Sequence, residues 1–108
     1  MALKTDLFDP ARFQANATAA ARLLRTLSNE HRLMILCRLI GGERSVGALL
    51  SDFDLSQSAL SQHLAVLRGQ GLVETRREGQ VIHYRIANPA AIRVIETLAA
   101  IYCPEMLK

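Results

Sequence analysis

The sequence predicts a mainly α, α+β domain with the element order α-α-α-α-β-β-α, and three observations lead to it. Leu60, Leu64 and Leu67 recur at i, i+4 and i+7, the apolar stripe of an amphipathic helix. A shorter helix precedes that one across the brief link Phe53-Asp54-Leu55. Beyond Gly69 and Gly71, Leu72 to Glu78 and Val81 to Ile86 read as two strands separated by Gly79-Gln80, a β-hairpin. A short helix, a turn, a second helix with a polar outward face and then a hairpin make a winged helix-turn-helix.

The 108 residues suit one domain: a tail over 1–10, then a single DNA-binding and dimerisation domain over 11–108. Half the residues are hydrophobic, enough for a packed core. The formal net charge of +3 permits a polyanionic partner. No run of eighteen apolar residues occurs, so no membrane helix is expected. Met1 to Pro10 holds Asp6 and Asp9 and no apolar core of a signal peptide, so a cytoplasmic location is the default expectation. The two cysteines, Cys37 and Cys103, form no CxxC pair, which excludes thioredoxin-like and zinc-ribbon motifs.

Pro10 is placed to open the first helix, expected over Ala11 to Leu27, where no Gly or Pro intervenes. Its shallow stripe of Ala17, Ala20, Ala21, Leu24 and Leu27 fits either core packing or close approach of a second copy. Ser28 and Asn29 interrupt and favour caps. The second helix, from Asn29 to Ile40, is expected to turn Leu33, Leu36, Cys37 and Ile40 inward, and Gly41-Gly42 ends it. A third, short helix runs from Ser45 to about Asp52. Asn88 caps the last helix, Pro89 opens it and Pro104 ends it. Ile92, Ile95, Ala99 and Cys103 share one face of it and Val94, Leu98 and Ile101 another, so it needs two neighbours, one of which fits a second protomer.

The fourth helix carries the chemistry. Ser56 is its N-cap, and Ser58, Ser61, Gln62 and Ala65 share the face opposite the leucines. That face is short, polar and nearly uncharged, as a helix lying against base edges in a major groove needs to be. The plain alternative is a surface helix rich in Ser and Gln. In the hairpin, Arg76, Arg77 and Arg85 suit phosphate contacts, against the alternative of an ordinary solvated hairpin. Ser56, Gln57, Ser58, Ser61, Gln62, His63, Arg68, Arg76, Arg77 and Arg85 are the candidate DNA-binding residues.

Three stretches together resemble the ArsR/SmtB family of bacterial winged-helix repressors: Leu27-Ser28-Asn29-Glu30-His31-Arg32-Leu33-Met34-Ile35-Leu36, then Ser58-Ala59-Leu60-Ser61-Gln62-His63-Leu64, then Gly71-Leu72-Val73 with Arg76-Arg77-Glu78-Gly79-Gln80 and Tyr84. The resemblance covers roughly residues 15 to 103. It implies a homodimer joined through the first and last helices, a double-stranded DNA operator, and an inducer that weakens operator binding. The metalloid site of some members needs cysteines in the third helix, where this chain has Ser45-Val46-Gly47-Ala48-Leu49-Leu50. The zinc site of others needs Asp and His on the last helix, which here offers Glu96 and Glu105 and no His. The remaining pair, Cys37 and Cys103, is similar to the subgroup that senses sulfide through persulfides, the BigR-, SqrR- and HlyU-type regulators.

The residues themselves leave alternatives. Both thiols sit on apolar stretches, where an inert buried cysteine is common. A thiolate that attacks a sulfane sulfur, with a second thiol in reach, instead closes a di- or polysulfide. A metal-responsive repressor using the same two thiols needs further ligands, for which His31, His63 and His83 are candidates by type only. A winged-helix protein-interaction module is a different class, against which strongly salt-dependent duplex binding would argue. A thiol oxidoreductase lacks its motif. The reading is therefore a dimeric repressor, not an enzyme, with no cofactor, no metal and no membrane partner, released when reactive sulfur links Cys37 to Cys103.

Overall fold

The computed structural model describes residues 8–107, so residues 1–7 of the expected tail lie outside the described part. The elements are α1 (Pro10–Gln14), α2 (Ala17–Leu27), α3 (Glu30–Ile40), β1 (Arg44–Ser45), α4 (Val46–Asp52), α5 (Gln57–Gly69), β2 (Val73–Glu78), β3 (Val81–Ile86) and α6 (Pro89–Tyr102), closed by a 3-10 turn at Pro104–Leu107. No helix among the described residues is long and apolar enough to cross a membrane.

Polar caps fix where the helices begin. Asn29 accepts from the Arg32 N–H at 3.1 Å, Ser56 from Ala59 at 3.0 Å and Asn88 from Ala90 at 2.9 Å, with Pro89 at the first position of α6. The end of α5 is a Schellman turn. Gly71 adopts φ 74°, its N–H reaches the Arg68 carbonyl, and the Leu72 N–H reaches that of Leu67, each at 3.0 Å. This stop aims the chain directly into the hairpin.

Two expectations about elements are corrected. The helix expected over Ala11 to Leu27 is two helices, broken at Ala15–Asn16. Asn16 leaves helical backbone (φ −112°, ψ 7°), and its N–H turns back to the Phe13 carbonyl at 2.8 Å. Asn is a poor helix former, and an alanine-rich run without Gly or Pro hid the break. The third helix begins at Val46, after Ser45. Arg44 and Ser45 form an edge strand, pairing antiparallel with Tyr84 and His83, so the hairpin belongs to a three-stranded sheet of order β1-β3-β2. Ser45 also caps α4, accepting from the Ala48 N–H at 3.1 Å. In the hairpin, Val73 faces Ile86 and Glu78 faces Val81, and Gly79 (φ 62°) holds the first position of the two-residue loop.

The core is built from Leu27, Ile35, Leu36, Leu39, Leu49, Leu60, Leu64, Leu67, Leu72, Val73, Ala91 and Ile95. The α5 stripe of Leu60, Leu64 and Leu67 is buried as expected, which leaves the opposite face of α5 outward. Truncating a leucine of this kind to Ala typically costs about 2–5 kcal/mol. Of the inner face expected for α3 only Leu36 is buried, joined by Ile35 and Leu39, whereas Cys37 and Ile40 are exposed and Leu33 is half-buried. Because α3 is apolar on most sides, periodicity alone does not choose its buried stripe; the packed neighbours α5, α6 and β3 do.

Candidate nucleic-acid interface and thiol pair

The leucines that anchor α5 set the direction of its other side chains. Gln57, Ser58, Ser61, Gln62 and Ala65 are all exposed. Among the described residues Ser58, Ser61 and Gln62 engage no side-chain partner, so their donors and acceptors are open to a ligand. Ser56 is already engaged as the cap. His63 does not belong to this face. It is half-buried on the flank of α5, its ring 5.5 Å from that of His31 at the start of α3. Burial pushes its proton affinity down, and the positive charges of Arg32 and His31 push it further. Arg68 lies exposed in the last turn of α5.

The three wing arginines differ in their surroundings. Arg76 grips Glu43 through Nη2 (2.6 Å) and Nε (3.1 Å) and reaches Glu78 through Nη1 (3.1 Å). These hydrogen bonds raise the proton affinity of Arg76 and, from the Arg76 side, lower that of Glu43. Arg85 bonds Glu74 at 2.7 Å. Arg77 has no carboxylate partner among the described residues. The pairs are solvent-exposed and screened by water, so a phosphate can compete for them. Glu43, placed between α3 and β1, is the group the sequence reading missed. It precedes a two-residue strand that has no periodicity to reveal that Glu43 meets the wing.

The thiols occupy different settings. Cys37 is exposed, although its surroundings on α3 dehydrate the sulfur enough to push its pKa above the usual thiol value, partly offset by Arg38. Cys103 is half-buried and is the C-cap of α6, its N–H donating to the Ala99 carbonyl at 2.7 Å. Cys37 is therefore neither core-facing nor a fully buried, inert thiol. The helices that carry the two residues pack against each other. Among the described residues, no three His, Cys, Asp or Glu side chains gather as a metal site would need.

Residues 29–75, from the cap of α3 into the wing, match the model of the bacterial regulatory protein arsR family. The chain is 49% identical over 90 residues to the transcriptional activator HlyU of Vibrio cholerae, which covers 83% of each protein. It is 50% identical over 90 residues to the biofilm growth-associated repressor of Agrobacterium fabrum, covering 83% of this chain and 77% of that one. The crystal structure of the transcriptional repressor BigR from Xylella fastidiosa superposes with a TM-score of 0.84 at 41% identity, covering 89% of this chain and 98% of that one. Identity at this level over most of the length, on a shared architecture, goes beyond a common fold: this chain belongs to the arsR family of bacterial regulatory proteins, winged-helix DNA-binding transcriptional regulators, and is not an enzyme.

Proposed function

We propose that the chain is a homodimeric repressor whose operator affinity falls when reactive sulfur links Cys37 to Cys103. The observation that carries this reading is the packing of α3 against α6, each bearing, or ending on, one of the chain's only two cysteines. The exposure of Cys37 supports it further, since a sulfur donor can reach that thiol.

The chemistry balances without an outside oxidant beyond the sulfur donor. The Cys37 thiolate attacks the outer sulfur of a persulfide, the donor's S–S bond breaks, and the donor leaves as its thiol. The Cys103 thiolate then attacks the inner sulfur of the new Cys37 persulfide, which forms a disulfide and expels hydrogen sulfide. If both cysteines are first converted to persulfides, their condensation gives a trisulfide and the same leaving group. A direct disulfide needs Cα atoms about 4.4–6.8 Å apart, and a bridging sulfur extends that reach. Because α5 holds no cysteine, the link acts on DNA only by favouring a different arrangement of the reading helices. A tenfold loss of affinity requires about 1.4 kcal/mol of coupling.

The test follows mass and operator affinity together during persulfide treatment. A Cys37–Cys103 cross-link with reduced affinity is expected, and Cys37→Ser or Cys103→Ser should bind DNA without responding. Release of the double Ser variant by persulfide, or treated wild type without a cross-link, overturns the reading.

A further inference from the structure

Three arginines outside the reading face and the wing line one open cleft. Arg22 and Arg25 of α2 and Arg32 of α3 share it with Thr26, Val66 and Gln70. Arg22 and Arg25 are three residues apart, on one edge of α2, and Leu24 points from another edge. None of the three has a carboxylate partner among the described residues, in contrast to Arg76 and Arg85 on the wing. Arg32 is held in place: its Nε donates to the Thr26 carbonyl at 2.7 Å and its Nη2 to that of Arg25 at 3.4 Å. A guanidinium has five N–H donors, so the others remain for a ligand.

The cleft is continuous with the reading helix. Val66 belongs to α5 and Gln70 caps its C-terminus; Val66 follows Ala65 on the outward face and is 41% exposed. A positive field at this flank has a second sign, since the charge of Arg32, after burial, helps depress protonation of His63. A helix that lies in the major groove is bordered on each side by a phosphodiester strand.

We propose that the cleft of Arg22, Arg25 and Arg32 is a backbone-phosphate site, which seats the operator strand running along the C-terminal flank of α5. The site supplies sequence-independent affinity and rests on the DNA-binding role of the family. It carries more of the salt dependence than the carboxylate-paired Arg76 and Arg85.

The test is the salt dependence of binding to a fluorescent random-sequence duplex by the full chain. In Arg22→Gln/Arg25→Gln the slope of log affinity against log salt should flatten by about 0.9 for each charge removed, so by about 1.8 per bound protomer. Preference for operator over random duplex should be unchanged, since phosphates carry no sequence information. Arg22→Lys/Arg25→Lys should keep the slope, which separates charge from any structural effect. Inorganic phosphate, compared with sodium chloride at equal ionic strength, should not compete; competition would make the cleft a small-anion site and overturn the proposal. An unchanged slope in the Gln pair beside a wild type that binds DNA overturns this proposal alone. A wild type that binds no duplex at any salt removes the DNA-binding role as well.

Discussion

Cys37 shows at the scale of one residue what a sequence carries and what it omits. That the chain has two cysteines, far apart and without a CxxC motif, is plain from the sequence. The direction of Cys37 was not legible, because α3 has apolar side chains on most sides and any of several stripes suits a core. The structure turns Cys37 outward yet pushes its pKa up through dehydration of the sulfur. The sign follows directly: a raised pKa means less thiolate at a given pH, and the thiolate is the nucleophile. In a Cys103→Ser variant, alkylation of Cys37 by iodoacetamide should be slow near pH 7. It should climb about tenfold per pH unit until beyond about 8.5, the ordinary value of a free thiol. A rate that levels off below that pH contradicts the assignment.

Among the elements, α5 and the hairpin were legible because each displays its period over enough residues: three leucines at helical spacing, and two strands around a glycine turn. The edge strand β1 was not, since two residues show no period, and with it went the role of Glu43. The omission matters for function, because Glu43 already occupies Arg76. The wing arginines should therefore not contribute equally. Arg77→Ala is expected to flatten the salt slope by about 0.9. Arg76→Ala should flatten it less, because a phosphate that takes Arg76 must displace Glu43 and Glu78. Equal slopes for the two variants, each measured on a random duplex, would show that the ion pairs dissolve on binding at no cost. On α5, Gln62→Ala should instead relax preference for operator over random sequence, by about 1–3 kcal/mol at the affected base pair. A preference that stays intact would move the reading face elsewhere.

At the scale of the molecule, one small core does not absorb all the apolar surface that the helices carry. Ala91 and Ile95 of α6 are buried, while Ile101 is 62% exposed, Tyr102 is exposed beside it, and Leu24 of α2 is 61% exposed. The two apolar faces expected on the last helix are not the division the core makes: it takes Ile95 from one and Val94 from the other, with Ala91 between them, and leaves Ile101 outside. The first and last helices therefore present unspent apolar surface on elements other than the reading helix. A symmetric pair of copies would cover that surface and leave both α5 faces free. A stable pair needs about 1,200–2,000 Å² of total buried surface, and two reading helices would then address half-sites about 34–36 Å apart. Sedimentation of the full chain at micromolar concentration is expected to give a dimer. Leu24→Asp/Ile101→Asp should give a folded monomer, with helical content kept because neither side chain belongs to the core. That monomer should bind a two-half-site operator much more weakly than wild type, yet bind a single half-site with similar affinity, since only the second reading head is lost. A wild type that sediments as a monomer both free and on DNA would rule out the pairing. A double Asp variant that stays dimeric would place the interface on a different face.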